Sequence, residues 1–213
     1  MLTVVGAAVV IVAGCQRTPE EPVTLSSNGG SPPPASTVVP PTRPSDTGRP
    51  IDPSRCVHAT PSSPPPGVAP GPAARCPPDP AAAHLLLVSA TVSFPDAGGV
   101  TVDAELARSE AQLMRGLMFR THMAEDRGML FRMGRREDHQ FWMRNTCIPL
   151  DLLFVEDDGL IVGIVENAPT LNDEERGVGC PSTWVLEVNA GWTRRHGVRA
   201  GQRLTIPDEA RRG

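Results

Sequence analysis

The chain has no lysine and no tyrosine, and only three tryptophans and five phenylalanines among 213 residues. All 20 basic residues are therefore arginines, set against 24 acidic ones for a formal charge of −4. The arginines interleave with Asp and Glu and do not gather on one stripe, which argues against a nucleic-acid footprint. No apolar run reaches the roughly 20 residues that a membrane-spanning helix needs. No CxxC pair marks a metal ribbon. The near-copies Arg115-Gly-Leu-Met-Phe119 and Arg127-Gly-Met-Leu-Phe131 are too few for a repeat architecture and read as two apolar plugs entering one core.

Proline is abundant and unevenly placed: 19 of the 24 lie between Pro19 and Pro80. Before that stretch, Leu2 to Gly14 is apolar and ends in Val12-Ala13-Gly14-Cys15. This resembles the lipobox of bacterial lipoprotein signal peptides, in which the cysteine receives diacylglycerol. Residues 1–15 are thus expected to be a lipoprotein signal peptide, with the chain exported and anchored to the membrane through lipidated Cys15. No positive charge precedes the apolar run, which points to a start upstream of Met1. Gln16 follows the cysteine where Asp would favour inner-membrane retention, so the outer membrane is the expected location.

Residues 16–84 carry Pro-Pro runs among Ser, Thr, Gly and Ala, and predict a disordered tether. Cys56 and Cys76 lie within it, and in an oxidising compartment they are expected to pair with each other. Cys147 and Cys180 of the following domain are then expected to form a second bridge.

Residues 85–213 are long enough for one core. Leu85–Phe94 and Val100–Leu106 flank Pro95-Asp-Ala-Gly-Gly99, a hairpin signal. Ser109-Glu-Ala-Gln112 matches a capping box and starts a short helix that Gly116 helps end. Asp157-Asp158-Gly159 makes 150–165 a second hairpin. Asn167 to Pro181 reads as loop, Trp184–Val188 as a strand, Thr193–His196 as one helical turn, and Arg203–Ile206 as a last strand. The pattern predicts an α+β domain, mostly β: a small closed or partly closed β-barrel or roll with one or two short helices, preceded by a disordered Pro-rich linker.

These residues include Arg115-Gly-Leu-Met-Phe-Arg120, Gly128-Met-Leu-Phe131, Phe141-Trp-Met-Arg-Asn-Thr146, Ile148-Pro-Leu-Asp151, Val185-Leu-Glu-Val-Asn-Ala-Gly191 and Gly197-Val-Arg-Ala-Gly201. Over about Val100 to Ile206 the domain resembles the family known as domain of unknown function 192. The resemblance implies a compact β-rich fold, often exported, and no established reaction.

Polar residues set among apolar strands form the candidate site: Arg115, Arg120, Trp142, Arg144, Asn145, Thr146, Asp151, Glu187 and Asn189. Such groups, when dry, need partners, so the knot is either a structural latch or a pocket gripping a ligand through guanidinium groups, with Trp142 as a stacking wall. The preferred reading is a non-catalytic binding or scaffold module, with no cofactor or metal, that takes an envelope glycan, a small anion or a protein. Two others compete. An envelope hydrolase would use Asp151 and Glu187 as acid and base, and a copper-binding protein would use the six methionines between Met114 and Met143.

Overall fold

A computed structural model describes residues 50–67, 71–80 and 87–212, all within one unit, Arg43–Gly213. The signal segment with Cys15, and residues 16–49 of the expected tether, lie outside the described residues.

Strands β1 (Ser89–Phe94) and β2 (Val100–Ala107) form the expected hairpin, joined by a 3-10 turn at Pro95–Ala97 and two left-handed glycines. Helix α1 (Glu110–Arg115) starts on Ser109, whose hydroxyl accepts the Gln112 N–H while the Gln112 side chain accepts that of Ser109. The chain then returns as β3 (Arg127–Glu137), which lies parallel to β2. After β4 (Phe141–Met143) come the hairpin β5 (Leu150–Val155) and β6 (Ile161–Ala168), then β7 (Asn172–Arg176) and β8 (Ser182–Asn189). Two short helices follow, α2 (Trp192–Arg195) and α3 (Asp208–Arg211).

The main sheet has six strands in the order β1-β2-β3-β8-β5-β6, and β4 pairs with β7 in a separate two-stranded sheet. Of the closed or partly closed barrel or roll expected from the many short strands, the closed barrel is not what forms. The ladder stops at β1 and β6, and isolated bridges lie beside those edges, Ser93 to Thr205 and Leu160 to Arg203. Arg203–Ile206 therefore spans an open end and forms no regular strand. Asn167–Pro181 is likewise not all loop, since β7 lies within it.

Both faces of the sheet are covered. Leu130, Leu153 and Val188 face one cluster with Val92, Phe94 and Trp192, while Met129, Phe131, Leu152, Phe154 and Val185 face the other. This explains why β5 is buried at all six positions: a central strand covered on both sides loses the alternation of a half-exposed one. Each fully buried Leu or Phe contributes about 1.5–3 kcal/mol. The two apolar plugs do enter one core, with Leu117 and Phe131 in the second cluster. Gly128 matters to the packing of β3 on β8, because a Cβ there would stand 2.6 Å from the Glu187 carbonyl oxygen.

The larger correction concerns the tether. Residues 50–67 and 71–80 lie as a strap on the domain, although they were expected to be unstructured. Ile51 and Val57 pack on the second cluster. The His58 N–H donates to the Val162 carbonyl of edge strand β6 at 2.7 Å, and the Ala73 N–H to the Cys147 carbonyl at 2.7 Å. Arg194 donates to the carbonyls of Pro61, Ser62 and Ser63 while paired with Glu166. Arg55 makes a two-pronged pair with Asp158, whose carboxyl burial pushes up but whose bonds from Arg55 and Arg203 hold well below the usual range. A proline-rich chain cannot build its own core, yet it docks where another surface supplies acceptors and cover.

The strap also changes the disulfides. Cys56 bonds to Cys180 and Cys76 to Cys147, with Cα separations of 5.5 and 5.6 Å. The expected pairs, Cys56–Cys76 and Cys147–Cys180, do not form. Along the docked strap each of its cysteines lies beside a different domain cysteine, a proximity absent from the linear spacing.

Candidate functional site

Asp151 on β5 is fully buried and wholly occupied. Its Oδ1 accepts the N–H of Asn167 at 2.9 Å and of Gly191 at 3.0 Å. Its Oδ2 accepts the Thr193 N–H at 3.0 Å and the Thr193 hydroxyl at 2.7 Å. One carboxylate thus ties the end of β6 and the turn into α2 to β5, the latch alternative of the sequence reading.

Glu187 on β8 stands opposite Leu152 and Met129, whereas Asp151 stands opposite Val188. Directly opposed residues share a sheet face and neighbours alternate. Asp151 and Glu187 therefore project to opposite faces, and the acid–base pairing required by the hydrolase alternative does not exist.

The remaining candidates separate into a group around Glu187 and a periphery. The second half of the polar knot is a turn in which Asn145 is left-handed. The Asn145 carbonyl accepts the Phe119 N–H at 2.7 Å, and the Thr146 carbonyl accepts the Leu171 N–H at 2.9 Å. Phe119 and Leu171 also have positive φ, 66° and 52°. Bulky residues take this conformation only where the surroundings fix them. Phe119 is thereby held over the outlet of α1, beside Arg115 and Arg120.

Here two concavities adjoin. A groove of about 290 Å³ is lined by Gln112, Arg115, Met118, Phe119, Arg120 and His122, among others. A pit of about 40 Å³ shares Arg115, Gly116 and Met118 with it, and is lined further by Trp142, Thr146 and Glu187. Arg120 donates two bonds of 2.6 Å to the Glu105 carboxylate, which holds that carboxyl below its ordinary range. Arg115 pairs with Asp79 of the strap and lies over the Phe119 ring at 5.3 Å. Glu187 is 5% exposed and makes no side-chain hydrogen bond among the described residues. Burial pushes its carboxyl up to about 8, with the attraction of Arg120 acting against this.

Arg144 lies outside this group, stacked 4.1 Å from the Trp142 ring and paired with Asp173, so a protein side chain already occupies the expected stacking wall. Asn189 also lies apart. Its amide donates to the Met123 and Ala124 carbonyls, and it lines a different cavity of about 420 Å³ with Thr121, His122, Asn167 and Arg195. The methionines are largely packing: Met129 and Met143 are fully buried, and the Met118 sulfur lies 3.9 Å from the Asn145 amide. Among the described residues no group of three or more His, Cys, Asp or Glu could hold a metal ion. Phe119 and Met118, at the end of the first apolar plug, line the groove, whereas Leu117 of the same run enters the core.

A buried carboxyl with a raised pKa has a stability consequence. Its ordinary value is 4.5, so between there and about 8 the folded chain holds the proton that the unfolded chain releases. Stability contributed by the neutral form is complete below pH 4.5, falls as pH rises through this window, and levels off above it. Glu187→Gln should therefore raise the urea midpoint at pH 8.5 by an amount equivalent to a few kcal/mol, since each pKa unit is about 1.4 kcal/mol. At pH 4.5 the variant and parent should unfold alike.

The DUF192 family model, described as an uncharacterized ACR, matches residues 92–206. A crystal structure from Sinorhizobium meliloti 1021, called a "putative transcription regulator", is 39% identical over 58% of this chain and 97% of its own, with a TM-score of 0.55. A protein of unknown function from Novosphingobium aromaticivorans is 34% identical over 62% of this chain and 94% of its own, with a TM-score of 0.54. No curated protein matches.

Proposed function

The chain belongs to the DUF192 family, and from that premise we propose a non-catalytic binding module of the cell envelope, exported, held to the membrane by lipid on Cys15, and taking a glycan in the groove beside Phe119. The observation that carries the reading is the division of labour between two buried carboxylates. Asp151 is closed off by four donors, while Glu187 has no side-chain hydrogen bond among the described residues and stands at the wall of a pit beside an open groove.

The groove's chemistry supports a sugar. Gln112, Arg115, Arg120, Thr121 and His122 offer donors and acceptors, and Met118 with Phe119 offers apolar surface for the C–H face of a ring. Both nearby guanidinium groups already sit on carboxylates, which disfavours a small anion. The same pairing disfavours carrying over the relative's "transcription regulator" name. Arg55, Arg127, Arg136 and Arg203 are also engaged with acidic groups, and a phosphate backbone needs uncommitted cations. Two disulfides support an oxidising compartment.

Co-sedimentation of the full chain with purified cell-wall sacculi tests the reading. The Cys15→Ser form, freed from the membrane, should pellet with sacculi, and Arg120→Ala together with Phe119→Ala should reduce the pelleted fraction at least about fivefold. A chain that stays in the supernatant overturns the proposal.

A further inference from the structure

Resting on that glycan reading, we propose that the pit beside Phe119 receives an acetamido substituent of the sugar, its methyl group against the apolar wall and its carbonyl oxygen accepting a hydrogen bond from the Glu187 carboxyl.

Size comes first. A water needs at least about 10–15 Å³ of such space, so a pit of about 40 Å³ holds roughly three heavy atoms. A sugar ring is far too large, whereas the carbonyl carbon, oxygen and methyl of an acetyl group number three. The wall composition comes second. Leu113, Met114, Met118, Phe141 and Trp142 present apolar surface, and the polar side chains interrupting it are Arg115, Thr146 and Glu187. A hydroxyl group would leave the apolar wall unused, and a carboxylate would press charged oxygens against thioethers and rings. An acetyl group has one apolar end and one acceptor, matching an apolar wall interrupted by a few donors, of which the Glu187 acid is the one with no hydrogen-bond partner among the described residues.

The donor must be the acid form. Glu187 is 5% exposed and unpartnered among the described residues, and it holds its proton up to about pH 8. The charged groups around it are already matched. Arg115 from α1 pairs with Asp79, and Arg120 from the following turn pairs with Glu105 of β2. Arg127 of β3 pairs with Asp103. The neighbouring positions of β4 and β5 contribute no titratable group on this face, Asp151 lying on the other. Arg120 draws the Glu187 pKa down without cancelling the effect of burial. Ionisation above that pH removes the donor and sets a carboxylate against the ligand's carbonyl oxygen.

Calorimetric titration of the unaltered chain decides the matter, using soluble β-linked oligosaccharides of N-acetylglucosamine, glucosamine, glucose and glucuronate at pH 6.5 and 9. The N-acetylated oligomer should bind at least about tenfold tighter than the other three at pH 6.5, and this advantage should shrink about tenfold at pH 9. Glu187→Gln keeps an N–H donor that does not ionise, so its preference should persist at both pH values, whereas Glu187→Leu should abolish it. Equal binding of N-acetylated and plain oligomers, or a preference for glucuronate, overturns the acetamido assignment while leaving the groove reading intact. Failure of all four to bind, together with no retention on sacculi, overturns both. Retention on sacculi with no binding of any oligomer overturns the acetamido assignment alone.

Discussion

Asp151→Ala is expected to lower the stability of the folded domain by about 4–6 kcal/mol, with the binding properties of whatever remains folded unchanged. The deletion leaves the amides of Asn167, Gly191 and Thr193 without their acceptor in a dry interior, and the Thr193 hydroxyl as well. Each stranded donor costs about 1–3 kcal/mol. Asp151→Asn should cost less, about 2–3 kcal/mol. The retained oxygen can keep one pair of amides, while the new NH₂ group faces the Thr193 N–H, donor against donor. Urea unfolding reads both variants, and at this chain length each kcal/mol corresponds to about 2–4 °C in Tm. A catalytic carboxylate would behave in the opposite manner, with stability intact and function lost. Unchanged unfolding midpoints would therefore dismiss the latch.

The residues legible in the sequence were those whose neighbours in space are also neighbours in the chain. The Ser109–Gln112 capping box, the β1–β2 and β5–β6 hairpins and the helical turn before Gly197 are all settled within a few residues. What escaped depends on distant partners. Strand β3 extends to Glu137 through Arg132, Arg135 and Arg136, a polar run with β8 partners at Arg132 and Glu137, a register shift between them, and Arg136 paired with Glu156. Strand β7 reads Asn-Asp-Glu-Glu-Arg and has no apolar alternation at all; its ladder with β4 and the bonds from Arg176 to Asn172 and Glu174 define it.

The same distinction divides the site. Asp151 and Glu187 were recognisable as polar groups in apolar strands, and a latch was one of the two roles open to such a group. That they face opposite sides follows from the register of β5 against β8, which places Leu152, one residue along, opposite Glu187. No local pattern encodes that parity. Phe119 was hidden for another reason: a phenylalanine in an apolar run gives no sign that its backbone will be left-handed, and here the Asn145 carbonyl fixes it.

Opening the bridge that holds the start of the strap, through Cys56→Ser with Cys180→Ser, should have the second large effect. A loop of 124 residues is closed by that bond, and closure of such a loop restricts the unfolded chain by roughly 4–5 kcal/mol, with delivered stabilisation often smaller. The double variant avoids a lone thiol and should lower Tm by about 10 °C. Hydrogen exchange then locates the change. The His58 amide, bonded to Val162 on edge strand β6, should lose protection, because only non-covalent contacts, among them those of Arg55, Ile51, Val57 and Arg194, then hold that end down. The Ala73 amide, bonded to Cys147 and kept near it by the Cys76 bridge, should remain protected until that bridge is also reduced. The order of loss is informative, since a strap docked by its own contacts would keep both amides protected after full reduction. Protection that survives would make the disulfides a consequence of docking, whereas sequential loss makes them its cause, and leaves the edge of β6 uncovered once the chain is reduced.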